Sequence, residues 1–300
     1  MRRAVAIAVA LPWIAWALVR WLGLDTRYPL VAAIAWTPYV ALTSPLPVVL
    51  ALVLRRRIVA LVAGLAGAAL VFAVVPRALA GPRPDARGPE LTVMTSNLFR
   101  GHADAVSVVR AARAHGVQIL GLEELTPEEL ARLDAAGLGR VFPYRRVAGS
   151  NALFSRLPLQ DGRSHEGIVR VAGAPPVRVK VVHPFPPLNR RWAPVWSARI
   201  RALPGSDSRG DVQLLIGDFN ATLDHEALRA LLARGYTDAA DAAGAGLTWT
   251  WPARGHPHTL PIAIDHVLVD RRVRALGVTA VRIPGTDHRA VIARLRLPRG

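Results

Sequence analysis

In the stretch LLIGDFNATLD, residues 214 to 224, three apolar residues run into Gly217, and Asp218 and Asn220 then stand two apart. A carboxylate at such a place can orient and deprotonate water, and a carboxamide can contact an anionic oxygen. The same arrangement recurs along the chain. Asn97 closes LTVMTSN, Glu124 closes QILGLEE, His183 closes an apolar run before PFPP, and Asp265 with His266 interrupts the run from 264 to 269. Asp287 and His288, in GTDHRAV, precede the last apolar run. Taken singly, each has an ordinary structural explanation: an Asn at a strand end forms turns, and an Asp-His pair sits on the surface. Their repeated delivery at the ends of ordered apolar segments points instead to one site that holds carboxylates, carboxamides and imidazoles together.

The elements that must position them read as follows. Strand patterns cover 91–97, 118–124, 141–147, 152–156, 166–172 and 177–183, then the run into Asp218, then 264–269, 273–282 and 290–297. Helical spacing covers 104–116, which has a glycine stop, and 126–137, which opens with Thr126 and Pro127 as a cap and first-turn proline. Two more helices are expected near 193–202 and 225–234. Strands outnumber helices and many could pair as hairpins. The expected class is α/β: a four-layer α/β/β/α sandwich of mixed sheets, packed face to face with helices outside. A regular dinucleotide-binding βαβ domain is not expected, because no G-x-G-x-x-G is present.

The blocks TSNLFRG, LGLEELT, NALFSRLPL, VVHPFPP, IGDFNAT, IDHVLVD and GTDHRAV follow one another over residues 92 to 297. In that order they resemble the endonuclease/exonuclease/phosphatase superfamily of metal-dependent phosphodiesterases and phosphomonoesterases. The resemblance implies roles. Glu124, with Asn97 beside it and Asp287 on the other side, would bind Mg2+, with Mn2+ substituting. Asp218 and Asn220 would orient the attacking water and contact phosphate. His183 would contact phosphate or protonate the leaving group, and Asp265 with His288 would form a carboxylate–histidine pair. The chemistry agrees with these residue types. A phosphodiester repels nucleophiles, a hard cation on oxygen ligands offsets its charge, and imidazoles can donate to its oxygens. One departure stands out: the family usually carries Gln before the metal-binding Glu, and this chain carries Glu123. Strand alternation places Glu123 and Glu124 on opposite faces, so only one of them can bind metal.

Composition divides the chain. Residues 1–89 contain ten arginines and only two acids, Asp25 and Asp85, for a charge of +8 out of the total of +17. Apolar runs over 4–24, 28–54 and 58–75 approach the length of about 20 residues that crosses a bilayer. Pro29, Pro38, Pro45 and Pro47 break the middle one, which is expected to be kinked or partly re-entrant. Trp13, Trp16, Trp21 and Trp36 suit a membrane region. The expected organisation is a transmembrane region over 1–75 with about three spans, a Pro/Gly-rich linker over 76–90 and a catalytic domain over 91–300. Arg2, Arg3 and Arg55–Arg57 favour a cytoplasmic N-terminus, which with three spans puts the catalytic domain outside a multi-pass cell-membrane protein. Arg77, Arg83 and Arg87 count against that orientation. The chain has no cysteine, which excludes disulfides, thiol catalysis and cysteine metal sites.

The partners expected are the membrane and a phosphate ester, and no feature points to a protein partner. The basic charge suits nucleic acid, and tethering at a bilayer suits a phospholipid headgroup, as in a sphingomyelinase-type phosphodiesterase; a soluble ester is the third candidate. Trp249 and Trp251, in LTWTWPARGHPHTLP, offer faces for stacking on a base or dipping into lipid, or are ordinary packing. The reading from another class is a non-catalytic binding protein on the same fold. Its signature, loss of a key site residue, is not seen.

Overall fold

The computed structural model describes residues 1–81, 84–162, 164–207 and 209–300; Pro82 and Arg83 of the expected linker lie outside the described residues. From residue 90 onward the strands are β1 (Glu90–Asn97), β2 (Ile119–Glu123), β3 (Tyr144–Ala148), β4 (Asn151–Ser155), β5 (Glu166–Val169), β6 (Val177–Val182), β7 (Val212–Asp218), β8 (Tyr236–Asp238), β9 (Asp265–Asp270), β10 (Arg274–Arg282) and β11 (Arg289–Arg296). They build a six-stranded sheet in the order β10-β11-β1-β2-β4-β3 and a five-stranded sheet in the order β5-β6-β7-β9-β8. Both sheets are mixed: β1 with β2 and β6 with β7 are parallel, while β1 with β11 and β7 with β9 are antiparallel.

Side-chain alternation turns this topology into four layers. Leu91 and Val93 of β1, Val177 and Val179 of β6, and Leu214 and Ile216 of β7 share one buried core between the sheets. Their neighbours point outward. Met94, Leu120 and Ile292 pack with Val108 and Ala112 of the helix Ala105–Ala114. Leu215 and Leu268 pack with Trp196 and Ile200 of Trp192–Arg201 and with Leu228 and Leu231 of Glu226–Ala233. The α/β/β/α order expected from the sequence is therefore present. Two local differences follow from length. Residues 138–141 form a single helical turn rather than the start of β3. Strand β8 has only three residues, too few to carry a period.

At the N-terminus, Arg2–Leu22 and Arg57–Ala78 are long and apolar enough to cross a membrane, with mean hydropathies of 1.8 and 2.8. The middle segment forms Leu30–Thr43 and Pro45–Val53, bent by 47° at their junction. The bend coincides with Pro45, which has no N–H to continue the helical ladder. Ala6 packs with Ala51 and Ala60, whereas Ala17 packs with Ala41, Leu70 and Val74. The first and third helices thus run side by side in the same direction, and small residues let the helices approach. Arg2, Arg3 and Arg55–Arg57 gather at one end of the bundle, and the sandwich docks at the other.

The docking is polar and buried. Asp224, fully buried after β7, accepts from Arg20 Nε at 2.9 Å and from Arg77 Nη1 and Nη2 at 2.8 and 2.6 Å. Asp25 accepts from the backbone N–H of Glu226 at 2.9 Å, an anion at the N-terminus of the helix Glu226–Ala233. Tyr39 Oη and Trp36 Nε1 donate to the carbonyls of Pro261 and Leu260. The segment after the third helix also lies along the sandwich, where Gly81 N donates to Ala242 O and Gly88 N to Leu297 O. Removing one member of a buried ion cluster leaves the others uncompensated, at a cost of about 3–5 kcal/mol. Asp224→Ala is expected to destabilise the full chain by an amount in that range, read as a lowered denaturation midpoint in detergent by tryptophan fluorescence, with the helical far-ultraviolet signal of the native state unchanged.

Candidate active site

Parity places the polar residues before any of their contacts are considered. Positions 91, 93 and 95 of β1 face the inter-sheet core, so Asn97 does too; Asp218 continues the series of Leu214 and Ile216; Asp265 leads Val267 and Val269. Asp218 and Asp265 are direct partners across β7 and β9, and Asn97 is the partner of Glu123 across β1 and β2. The polar ends of both sheets thus meet at one rim of the sandwich core. Gly217 allows it. Its φ is +146°, and an added Cβ would lie 2.0 Å from the carbonyl oxygen of Val182, the residue before His183. Only glycine lets β6 and β7 end side by side there.

The contacts are specific. Asn97 Nδ2 donates to Asp218 Oδ2 at 3.0 Å and to Glu124 Oε1 at 3.2 Å, while its Oδ1 accepts from Phe99 N at 2.9 Å. Asp218 Oδ1 accepts from Asn220 N at 2.8 Å, and Asn220, at φ +49°, donates its amide to Pro184 O at 3.1 Å. His183 Nε2 lies 3.7 Å from Glu124 Oε1 and 3.8 Å from Asp218 Oδ2. His288 Nδ1 donates to Asp265 at 2.9 and 3.1 Å, and its Nε2 faces Asp218 Oδ2 at 3.8 Å and Asp287 Oδ1 at 4.0 Å. Asn97, Glu124, His183, Asp218, Asn220, Asp265, Asp287 and His288 are therefore linked through one cluster. All but the buried Asn97 and Asp265 line a single cleft of about 1140 Å³.

Charge in this cluster is unevenly distributed. Burial alone would lower the pKa of His288, but the carboxylates of Asp265 and Asp218, with Asp287 behind them, push it up to about 10. Burial and then Asp265 hold the Asp218 carboxyl above its usual range. Glu123 is completely buried; desolvation first, then Asp265 and Asp218, raise it well above an ordinary glutamate, against the Thr95 hydroxyl at 2.7 Å. The buried Glu123 carboxyl thus favours its neutral form more than an ordinary glutamate does. Strand alternation is only part of what separates it from Glu124. The strand ends at Glu123, and Glu124 turns into the left-handed region at φ +54°, where its Oε2 accepts from Arg100 N at 2.9 Å in the cleft.

The residues present suit a hard divalent cation. Glu124 and Asp287 offer carboxylate oxygens to the cleft, and Asp287 Oδ1 is a buried oxygen with no hydrogen-bond partner among the described residues. Asp218, Asp265 and His288 also bring three ligand atoms within 4.8 Å of one another. In that trio both Asp265 oxygens are already engaged with His288 Nδ1, which suits it to fixing the ring. The sequence reading missed several supports. Trp251 Nε1 donates to Asp287 Oδ2 at 3.0 Å, and His256 Nε2 approaches the same oxygen at 3.3 Å. Thr286 Oγ1 donates to Asn97 O at 2.8 Å. None of these has a spacing signal, because each partner comes from a distant loop. His266 is separate from the site. Its ring bonds Asp238 at 2.8 Å and Ala221 O at 2.7 Å on the opposite face of β9, and Asp238 raises its pKa against the lowering effect of burial. Trp249 lies under the Arg289 guanidinium, 3.2 Å from the ring centroid, so that face is covered.

Residues 94–288 match the model of the Endonuclease/Exonuclease/phosphatase family. No curated protein matches the chain. Among solved structures, D. rerio TDP2 humanized by 14 mutations aligns with a TM-score of 0.55 at 12% identity, over 69% of this chain and 98% of that one. D. rerio TDP2 complexed with single strand DNA product aligns with a TM-score of 0.55 at 13% identity, over the same shares. An endonuclease/exonuclease/phosphatase from Beutenbergia cavernae aligns with a TM-score of 0.52 at 19% identity, over 71% of this chain and 72% of that one. At these identities the likeness is one of fold.

The Asp265–His288 bond has a measurable consequence. His288 is raised above its unfolded value, so its contribution to stability is complete below about pH 6.5 and declines as pH rises toward about 10. In protein stripped with chelator, the His288 ring is expected to remain protonated through neutral pH by NMR titration. Asp265→Asn is expected to lower its midpoint by at least one unit; an unchanged midpoint would show that Asp265 does not hold the charge.

Proposed function

The chain belongs to the Endonuclease/Exonuclease/phosphatase family, and from that premise we propose that it is a membrane-anchored, Mg2+-dependent phosphoesterase that hydrolyses phosphodiester or phosphomonoester bonds by attack of water. The observation that carries the reading is the convergence of Glu124, Asp218, His183 and His288 on one cleft beside the unpartnered oxygen of Asp287. Glu124 and Asp287, with Asn97 adjacent, would hold the metal. Bound there, Mg2+ supplies charge neutralisation and polarisation of the phosphoryl group, and Mn2+ substitutes for it.

The chain's own residues do the rest. Asp218 is held at both oxygens, by Asn97 and by the Asn220 backbone, so it can orient a water and take its proton; its raised pKa suits a general base. Asn220 and His183 stand where they can contact phosphate oxygens, and His183 can protonate the leaving group. His288, kept cationic and oriented by Asp265, donates from Nε2 toward developing negative charge. One such donor is typically worth on the order of 10²- to 10³-fold in rate.

Membrane anchoring rests on the two long apolar helices and the bent pair between them. The arginines that oppose an outside catalytic domain are not equivalent to the others. Arg77 is buried against Asp224 and Arg87 pairs with Asp85, while Arg2, Arg3 and Arg55–Arg57 gather at the far end with no acidic partner among the described residues. This supports a cytoplasmic N-terminus and an outside sandwich.

Two experiments test the reading. Purified full chain should hydrolyse bis-(p-nitrophenyl) phosphate with Mg2+ and stop with chelator. Glu124→Gln should lose at least 10²-fold in kcat/KM with an unchanged melting temperature, and excess Mn2+ should recover part of it. Glu123→Gln should stay within a few-fold of wild type; a reversed outcome moves the ligand by one residue. For topology, the cysteine-free chain permits single reporters. Ala131→Cys should react with an impermeant maleimide in intact cells and Arg56→Cys only after lysis. The opposite pattern places the sandwich in the cytoplasm.

A further inference from the structure

The cleft that holds the candidate catalytic residues is not made by the sandwich alone. Ala32, Ala35 and Trp36, from the bent segment between the apolar helices, form part of its wall. They are held there by Trp36 Nε1 and Tyr39 Oη, which bond the loop at Leu260 and Pro261, and by the Asp224 cluster at the helix ends. Across from them the sandwich contributes Phe185, Leu188 and Val195, which are 55%, 66% and 39% exposed. Large apolar side chains left this open beside a polar site need an occupant or a surface to meet. Phe185 packs tilted against Trp192, 4.4 Å between centroids.

This apolar stretch begins at His183–Pro184, beside the carboxylates and imidazoles, and ends at Ala32, Ala35 and Trp36, close in the chain to the exposed Tyr28 and Leu30. One end suits a phosphate, since His183, His288 and the metal ligands converge there. The other end suits hydrocarbon and is built from the bent segment between the two helices expected to lie in lipid. We infer that the substrate is a phosphate ester carried by a membrane lipid, whose chain lies along Ala32, Ala35 and Trp36 while its phosphate enters the site. The inference rests on the phosphoesterase reading and names its substrate class. A groove for single-stranded nucleic acid would instead present free aromatic faces along a basic track. Here Trp249 has one face under Arg289, Trp192 packs tilted against Phe185, and Trp251 is tied to Asp287. The bent helix pair thereby shapes the path for a hydrocarbon chain, with Ala32 and Ala35 small where the chain must pass and Trp36 pinned at their side.

The test compares two substrates with the same leaving group, methyl p-nitrophenyl phosphate and hexadecyl p-nitrophenyl phosphate, with full-length protein in mixed detergent micelles and Mg2+. Micelles concentrate the long ester around any membrane protein, so the informative quantity is how variants change the ratio of the two kcat/KM values. Wild type is expected to favour the hexadecyl ester at least tenfold. Ala32→Trp, which fills the groove from a half-buried position, and Leu188→Asp, a surface change that cannot empty a core, are each expected to lower that ratio at least fivefold. Ratios unchanged in both variants overturn the lipid assignment while leaving phosphoester hydrolysis intact. Faster turnover of a single-stranded oligonucleotide than of the hexadecyl ester also overturns it, in favour of nucleic acid. Failure to hydrolyse either ester, with or without added Mn2+, sinks the phosphoesterase reading itself and the lipid assignment with it.

Discussion

Four carboxyl groups crowd the rim of a protein core in this chain. Asp218 and Asp265 face each other across adjacent strands, Glu123 lies behind them, and Asp287 closes the far side. Like charges in a poorly solvated place cannot all remain ionised without compensation. The surrounding structure is arranged around that constraint. Asn97 turns its amide toward two carboxylates, His288 becomes a cation between three, and the Glu123 carboxyl is pushed well above its ordinary range. The deficit that remains is concentrated at Glu124 and the free oxygen of Asp287, which is where a divalent cation would be most stabilised. On the proposed reading, an electrostatic problem of folding and a binding site for metal are the same feature.

A second buried anion organises the other half of the molecule. Asp224 follows Asp218 on the loop that leaves the site, and it collects both Arg20 and Arg77. A tether needs no such contact. Arginines from the ends of two helices, joined on one carboxylate, fix the bundle's angle as well as its distance, because each guanidinium is directional. The bent helix pair is thereby carried to the mouth of the cleft. The apolar region and the sandwich, which composition divides sharply near residue 89, are mechanically one object at this junction.

The legible part of the site is the part that strand geometry produces. Asn97, Asp218 and Asp265 sit at strand ends with inward parity, and the apolar residues before them announce both facts. Glu124 shows where that logic fails. Alternation correctly separates it from Glu123, but its side chain reaches the cleft because the backbone turns left-handed after the strand ends. A single residue's φ leaves no trace in a hydrophobic pattern. Asp224 belongs to the same motif as Asp218 and carries no sign of its role, since its partners Arg20 and Arg77 lie 204 and 147 residues away in the chain.

By itself the sequence determined the layer order, the succession of strands, the apolar segments and the set of residues able to do phosphate chemistry. These follow from periodicity and residue type, which are local properties. Only the tertiary structure decided which Glu enters the cleft, that His266 faces away while His288 faces in, and that Trp249 is covered. Only it joined Arg20 and Arg77 to Asp224 and set Ala32, Ala35 and Trp36 along the cleft that holds the candidate site residues. Those outcomes depend on contacts between segments far apart in the chain. Their energies come from burial and pairing of charges, and no short stretch of sequence contains both members of the pair.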